Sequence, residues 1–557
     1  MQFQQSQGFL WYNSCVKIIN TTNRNYTTNE KYFQLQIPMN FNVIIPDRDS
    51  VRLLSQFVEE MDLTCLYETY NVLKENQVAP RQMLKIVLYG YLDGRFSSRE
   101  IEKACHRDIN FMYLLEGKPA PDHATIARFR SLHFAPCAKQ LLLECTEFLY
   151  ELGEISGENI FIDGTKIEAN ANRYTFVWKK SVTKNQAKMG EKAAALVEEC
   201  VTTYGFKPIW GGRVKIQTLK KIRKLLYALK EQEQITFVHG VGKRKSLLQK
   251  HIEQLEYCLD KLKESNHKIH LCGQRNSYSK TDVDATFMRM KEDHMRNGQL
   301  KPAYNLQHGV DAEYIVWLQL SPNPSDMLTA VPFLKEINQQ FSFRYRNIVL
   351  DSGYESEETY TYIENSGQLA FIKPANYEIS RTRKYQKDIS NQDNMTYDAQ
   401  KDCYYCNQGK VLDKVATKNQ KTKSGYVSTK TVYRCKDCKD CPVKSQCIRG
   451  NHWKTEEANR IKTLEVSREF DRQRKECLER ITSEQGILLR INRSIQAEGS
   501  FANMKWDRGF RRFLCRGTNN VFAECAFLAI SHNIRKLHNK IQNGTTGTHL
   551  HCIDKIA

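Results

Sequence analysis

The chain has 557 residues, too many for one hydrophobic core, so about three or four domains are expected. Its net charge of +20, from 83 basic and 63 acidic residues, points to a polyanionic partner, and nucleic acid fits best because the arginine-rich stretches lie beside candidate acids rather than in tails. No stretch reaches the roughly 20 apolar residues that cross a bilayer, and no basic region followed by an apolar core opens the chain, which excludes a membrane-spanning reading and makes a cytoplasmic location the expectation.

Residues 1–38 are polar, rich in Gln, Asn and Thr, and read as a disordered leader, with Met39 as an alternative start. Residues 39–152 read as a helical N-terminal DNA-binding domain. Val51, Leu54, Phe57 and Val58 recur at three-and-four spacing, as do Met83, Ile86 and Val87. The run from Pro121 to Arg130 starts with Asp122 as N-cap and carries Arg128 and Arg130. A recognition helix would look like this, with its arginines on phosphates or base edges; a capped helix with solvated arginines reads equally well.

Residues 153–179 supply the first part of a catalytic core, with the apolar run Ile160-Phe-Ile ending at Asp163 and Gly164. Residues 180–275 follow as a helical-hairpin insertion, in which Leu219, Ile222, Leu226 and Leu229 mark one amphipathic helix and Leu248, Ile252, Leu255, Leu259 and Leu262 a second. The core resumes over residues 276–374. Strands are expected at 303–310 and 314–320, a helix over 326–339, a strand ending at Asp351, a helix over 355–365 and a strand at 369–372. A β-β-β-α-β-α-β order with an acid closing the first and fourth strands is that of a ribonuclease H-like mixed α/β sheet.

Residues 375–460 form a Cys-rich insertion. Cys403, Cys406, Cys435, Cys438, Cys441 and Cys447 offer two CxxC hooks and two further thiols, the spacing of a structural zinc site, though six thiols exceed four places and the set stays open. Residues 461–540 hold C-terminal helices with Glu498, and residues 541–557 read as a flexible tail. On an α-helix Lys505 falls near the face of Glu498 while Arg493 sits to the side. Downstream, Arg508, Arg511, Arg512 and Arg516 interleave with Trp506, Phe510 and Phe513, a composition that suits phosphate contacts and stacking on an unpaired base.

Asp163, Asp351 and Glu498 are the candidate catalytic acids. Phosphodiester cleavage with two divalent ions about 3.5–4 Å apart needs carboxylates converging on both, and Mg²⁺ or Mn²⁺ is held by one or two carboxylates each plus water and substrate oxygens. Either aspartate alone reads as a turn former. It is the repetition of strand, acid and small residue, followed by an acid in a basic helix, that selects the trio. Asp282 and Asp284 read as caps of a following helical run, and Glu168 reads as facing solvent.

The segments Ile162-Asp163-Gly-Thr-Lys-Ile167, Asp351-Ser-Gly-Tyr354 and Arg493-Ser-Ile-Gln-Ala-Glu498-Gly-Ser-Phe-Ala-Asn-Met-Lys505, then Gly509-Phe-Arg-Arg-Phe513, closely resemble the DDE transposases of bacterial insertion sequences. The resemblance runs from about Met39 to Leu537 and includes an N-terminal domain around Asp122–Arg130. It implies binding of terminal inverted repeats in double-stranded DNA, metal-dependent nicking, and joining of the freed 3′-hydroxyl to target DNA by a homodimer in the bacterial cytosol, associated with the nucleoid. Asp163, Asp351 and Glu498 take the metal-ligand roles, and Arg493 and Lys505 the terminal-strand contacts. The tyrosine that many relatives carry shortly before the arginine is absent, with Leu488, Leu489 and Arg490 in its place. Two other readings are a catalytically inactive, sequence-specific DNA-binding derivative and a related nuclease without strand transfer; no small-molecule substrate or membrane partner is implied.

Overall fold

In the computed structural model, residues 44–71, 77–207, 214–290, 298–449, 456 and 459–552 are described. The expected leader and Met39 lie outside them. Besides a one-turn helix, Thr64–Tyr67, six helices come first among the described residues: α1 Ser50–Glu60, α2 Pro80–Leu92, α3 Ser98–Arg107, α4 Ile109–Leu115, α5 His123–Arg128 and α6 Ala135–Glu151. Local chemistry sets their starts. Asp49 accepts from the Val51 amide at α1, Pro80 opens α2, Ser97 and Glu100 form a capping box at α3, and Asp122 caps α5. Between α5 and α6 the helix passes through a π turn, Phe129–Phe134, which buries Phe129, Arg130 and Phe134 together.

Strand β1, Asn159–Glu168, follows, then a short β2, Phe176–Trp178. Three helices come next: α7 Lys179–Tyr204, α8 Ile216–Gln232 and α9 Leu247–Cys272. They close on one apolar cluster built from Leu196, Val197, Leu219, Ile222, Leu226, Ile252, Leu255 and Leu259. The expected pair of helices is therefore a trio. Helix α7 escapes periodicity because only Ala193, Leu196, Val197 and Cys200 of its 26 residues are buried.

Strand β3, Ser277–Ser279, pairs with β2 in a separate two-stranded sheet, and the main sheet continues with β4 Thr286–Arg289, β5 Leu300–Asp311, β6 Tyr314–Ser321, β7 Asn347–Leu350 and β8 Leu369–Ile372. Helix α10, Ala330–Gln340, joins β6 to β7, and α11, Glu357–Asn365, joins β7 to β8. The strand order is β4-β5-β1-β7-β8, with β6 also on β5. β1 runs antiparallel to β5 and parallel to β7, and β7 is parallel to β8. Ala312 and Glu313 turn β5 into β6 at φ 52° and 71°, the two left-handed positions that match hairpin twist. The fold is a mixed α/β sheet. β4 was not foreseen, and the segment that Asp282 and Asp284 were expected to cap as a helix is this strand.

Five antiparallel strands follow in the order β13-β12-β11-β10-β9: β9 Thr396–Asp398, β10 Cys403–Tyr405, β11 Val411–Lys421, β12 Val427–Cys435 and β13 Thr463–Val466. The chain ends in α12 Arg468–Thr482, α13 Glu484–Arg493 and α14 Thr518–Asn543. Helix α14 packs on α1, α2, α6 and β6, with Phe527 stacked on Phe134 at 3.7 Å between ring centres. The N-terminal helices thus share a core with the C-terminal one. Residues after α14 are also held: the Asn492 and Gln496 amides donate to the carbonyls of His551 and His549 at 3.0 Å each. No helix among the described residues is long and apolar enough to cross a membrane.

Candidate functional site

The register of the sheet decides where the two aspartates stand. Ile162 on β1 lies opposite Leu350 on the parallel strand β7, so Asp163 and Asp351 are the next positions on adjoining strands, which run about 4.8 Å apart. β1 does not end at Asp163, as the sequence suggested; it continues to Glu168. β7 does end, because Asp351 Oδ1 accepts from the Gly353 amide at 2.8 Å and caps a short turn, Ser352–Tyr354. Asp163 is buried and its Oδ1 accepts from the Gly164 amide at 2.8 Å.

Glu498 arrives from the helix that covers β1 and β5. Helix α13 runs without a break into a π turn, Ser494–Glu498, an α turn, Gly499–Ala502, and a second π turn, Asn503–Asp507. In a π turn residues five apart align. That corrects the α-helical expectation for Arg493: its Nη2 is 3.0 Å from Glu498 Oε1, and its Nη1 is 3.8 Å from Asp163 Oδ2. The guanidinium therefore joins the strand acid to the helix acid. Arg493 is 16% exposed and Glu498 56%, so the site opens outward from Asp163 toward Glu498. An all-oxygen donor set with a cation already between its members suits a hard divalent ion.

Beneath Gly164 lies a polar network with little signal in the sequence. Asp326 Oδ1 accepts from Asn305 Nδ2 at 2.7 Å and Gln307 Nε2 at 3.2 Å, and the Tyr354 hydroxyl donates to Gln307 Oε1. Burial, with Asp326, Asp163 and Asp351 nearby, pushes the Tyr354 phenol well above its ordinary value, so it stays a donor. A Cβ at position 164 would lie 2.5 Å from Gln307 Nε2 and 2.9 Å from both Asp326 Oδ1 and the Tyr354 oxygen. Gly164 is there for close approach rather than for a turn. Tyr354 belongs to a motif visible in the sequence; Asp326, Asn305 and Gln307 had no marker.

The opposite face of β1 meets the helix of Glu498. His308, the cross-strand partner of Asp163, is stacked on Phe501 at 4.2 Å, and burial holds its pKa well below the ordinary value. Lys505, expected to contact the terminal strand, is instead buried, its ammonium donating to Thr165 Oγ1 at 2.7 Å and the Lys166 carbonyl at 3.2 Å.

The candidate DNA-contact arginines divide by burial. Arg128 is exposed on α5. Arg130 is not available to DNA, since it is buried with its guanidinium on the Tyr91 hydroxyl, the Phe96 carbonyl and, at 3.3 Å, Glu524. Arg508 is likewise buried, donating to the Tyr91 carbonyl at 3.2 Å. Arg511 is exposed and lies 4.6 Å from the ring of Trp506, itself 56% exposed. Arg512 and Arg516 are exposed while holding carbonyls of Ala169, Ala171 and Asn170 where the chain leaves β1.

Three acids change their reading. Glu168 does not face solvent: it is buried between Arg173 at 2.8 Å, Lys301 at 3.3 Å and Arg512 at 3.9 Å. Asp284 accepts from the Thr518 amide at 2.8 Å and so caps α14, more than 200 residues away. Asp282 is buried on the Tyr304 hydroxyl. Among the described residues, the one trio whose ligand atoms all lie within 4.8 Å of one another is Glu102, Asp122 and His123; the acids around Arg493 are spread more widely, and so are the thiols.

Residues 39–132 match the family described as Transposase domain (DUF772), and residues 405–538 match the family described as Transposase DDE domain. The second match includes Arg493, Glu498, Lys505 and all of the cluster cysteines but Cys403; Asp163 and Asp351 fall outside both. No curated protein and no solved structure matches the chain.

Proposed function

We propose that this chain, a DDE transposase of the insertion-sequence type, cuts DNA at the ends of its element and joins the freed ends to a target, using Asp163, Asp351 and Glu498. The observation that carries the proposal is the adjacency of Asp163 and Asp351 on parallel strands, with Arg493 tying Asp163 to Glu498. The order β6-β5-β1-β7-β8, with a parallel half and an antiparallel half meeting at β1, supports a ribonuclease H-like core interrupted by the α7–α9 and β9–β13 insertions.

The three carboxylates would hold Mg²⁺ or Mn²⁺. Bound there, such ions supply charge stabilisation at the phosphate and lower the pKa of a coordinated water. The protein's own part is positioning. The Asn305, Gln307, Asp326 and Tyr354 network fixes the backbone at Gly164 and hence the carboxylate before it. Arg493 offers a guanidinium beside the acids for the terminal-strand phosphate, and Lys505 holds the covering helix onto β1 through Thr165. Arg511 on Trp506 forms an exposed cationic and aromatic platform for backbone and base, with Arg512, Arg516 and Arg128 as further phosphate contacts.

In cleavage a water oxygen attacks phosphorus and the bond to the 3′ oxygen breaks, leaving a 3′-hydroxyl and a 5′-phosphate. In joining, that hydroxyl attacks a target phosphorus and displaces the target's 3′ oxygen, so one phosphodiester replaces another. Paired ends call for two copies of the chain. The test uses labelled element ends, Mg²⁺ or Mn²⁺ and a plasmid target. Joined products support the transposase, nicks alone point to a nuclease, and retarded but uncut DNA points to a binding protein without catalysis.

A further inference from the structure

The β9–β13 sheet has a small core of its own. Its buried apolar residues are Met395, Tyr404, Leu412, Tyr433, Cys435, Cys438, Ile448, Leu464 and Val466, with Cys406 and Cys447 packed against them. A core of nine residues is too little to fix loops as well as strands, and natural modules of this size add a cross-link or a metal. The cysteines stand where such a staple would be. Cys406, Cys435, Cys438, Cys441 and Cys447 line a single cavity of about 20 Å³ together with Ile389, Val443 and Ile448 and a polar margin. Cys403 is not among its lining residues. It precedes Tyr404 on β10, and Tyr404 fills the core, so strand alternation turns Cys403 to the other face.

We infer that this cavity binds one Zn²⁺ through Cys406, Cys438, Cys441 and Cys447, with Cys435 as a small core residue beside it. The choice among five thiols rests on which backbones can adjust. Cys435 is fixed in the ladder, opposite Leu412 and with its amide on the Lys462 carbonyl at 3.0 Å. The other four ride on turns. Cys406 begins a tight turn closed by Gly409 N to Cys406 O at 2.8 Å and Cys406 N to Lys410 O at 2.9 Å. Cys438 and Cys441 sit in the loop after β12, and Cys447 ends a one-turn helix, Lys444–Cys447. No three sulfurs lie within 4.8 Å among the described residues, so the ion would draw these turns inward to its tetrahedron. Four thiolates around Zn²⁺ leave a net negative charge. Lys410, Lys444 and Lys462 line the same cavity, and the Lys462 ammonium is already anchored on the Ser390 carbonyl at 2.6 Å.

The inference is independent of the catalytic reading and is tested on the full-length protein by its metal content. Protein prepared without chelator is expected to carry one zinc per chain, released in step as a mercurial titrates the thiols; Co²⁺ in its place is expected to give the charge-transfer absorption of a tetrathiolate site. Cys403→Ser and Cys435→Ser are expected to keep full zinc, while Ser at 406, 438, 441 or 447 loses it. Should those four variants fail to fold, the mercurial and cobalt measurements on the unaltered protein decide. Zinc-free protein with freely reactive thiols, disulfides among these cysteines, or zinc lost from the Cys435 variant but kept in any of the four would overturn it.

Discussion

The proposed acid site and the proposed thiol site would solve the same problem, holding several ligand side chains together, by opposite means. Around Asp163 the partners come from residues 163, 351 and 498, and the register of β1 on β7 and a π turn set their positions. In the module the thiols fall within one stretch of 45 residues, and short turns carry them. A site built on sheet register inherits rigidity from a large shared core; one built on turns needs its ligand to finish it.

The largest effect is expected from removing charge at the register site. Asp163→Asn or Asp351→Asn should lower strand cleavage by at least about 10²–10³-fold, with DNA retardation in gels intact or raised; preserved turnover would mean the acids are turn formers after all. Next comes the shared core itself. Arg130→Met breaks the buried pair with Glu524 that joins the N-terminal helices to α14, and should cost about 3 kcal/mol in urea unfolding. A loss confined to the noise would show that the two ends of the chain are stabilised separately.

Gly164→Ala should cost about 1–3 kcal/mol from overpacking against Gln307, Asp326 and Tyr354, and should lower cleavage by moving Asp163. Gly190→Ala, on α7 with nothing within 4 Å of an added Cβ, serves as its control, neutral or stabilising by about 0.5–1 kcal/mol. If both behave alike, packing under Gly164 is not what positions the site.

The last comparison concerns pH. Burial, with Arg508 next in weight, holds His532 down to about 3, and His308 is also depressed. Below an unfolded pKa of about 6.5 the unfolded chain takes up protons that the folded one refuses, so this contribution to stability falls as pH drops from about 6.5 toward 3. Urea midpoints at several pH values should decline on the acid side, and His532→Gln should flatten that decline. An unchanged slope would place the acid sensitivity elsewhere, for instance in the thiol module.

Periodicity and punctuation gave most of the elements within a few residues: β8 coincides with the expected strand, and β5, β6, β7, α10 and α11 lie close to theirs. Helix α7 lies in a stretch read as helical but was not told apart as a third partner because few of its positions are buried and apolar, and β4 went unseen because Asp282 and Asp284 look like helix caps. Glu168 was misjudged because the cations around it, Arg173, Lys301 and Arg512, come from three separate segments. Asp284 caps a helix it is remote from in sequence. Local patterns carry propensity and pairing within a turn or two; they carry no record of which distant backbone supplies a partner.

By itself the chain's order of residues determined a basic α/β protein with two aspartates after apolar runs, a glutamate in a basic helix and a cluster of closely spaced thiols. Only the tertiary structure decided that Asp163 stands level with Asp351, that Arg493 reaches Glu498 through a π turn, and that Arg130 is spent inside the core rather than on DNA. The physical reason is that spacing along the chain fixes neighbours within a helix turn or a hairpin, whereas strand register, helix irregularity and burial are settled jointly by elements hundreds of residues apart.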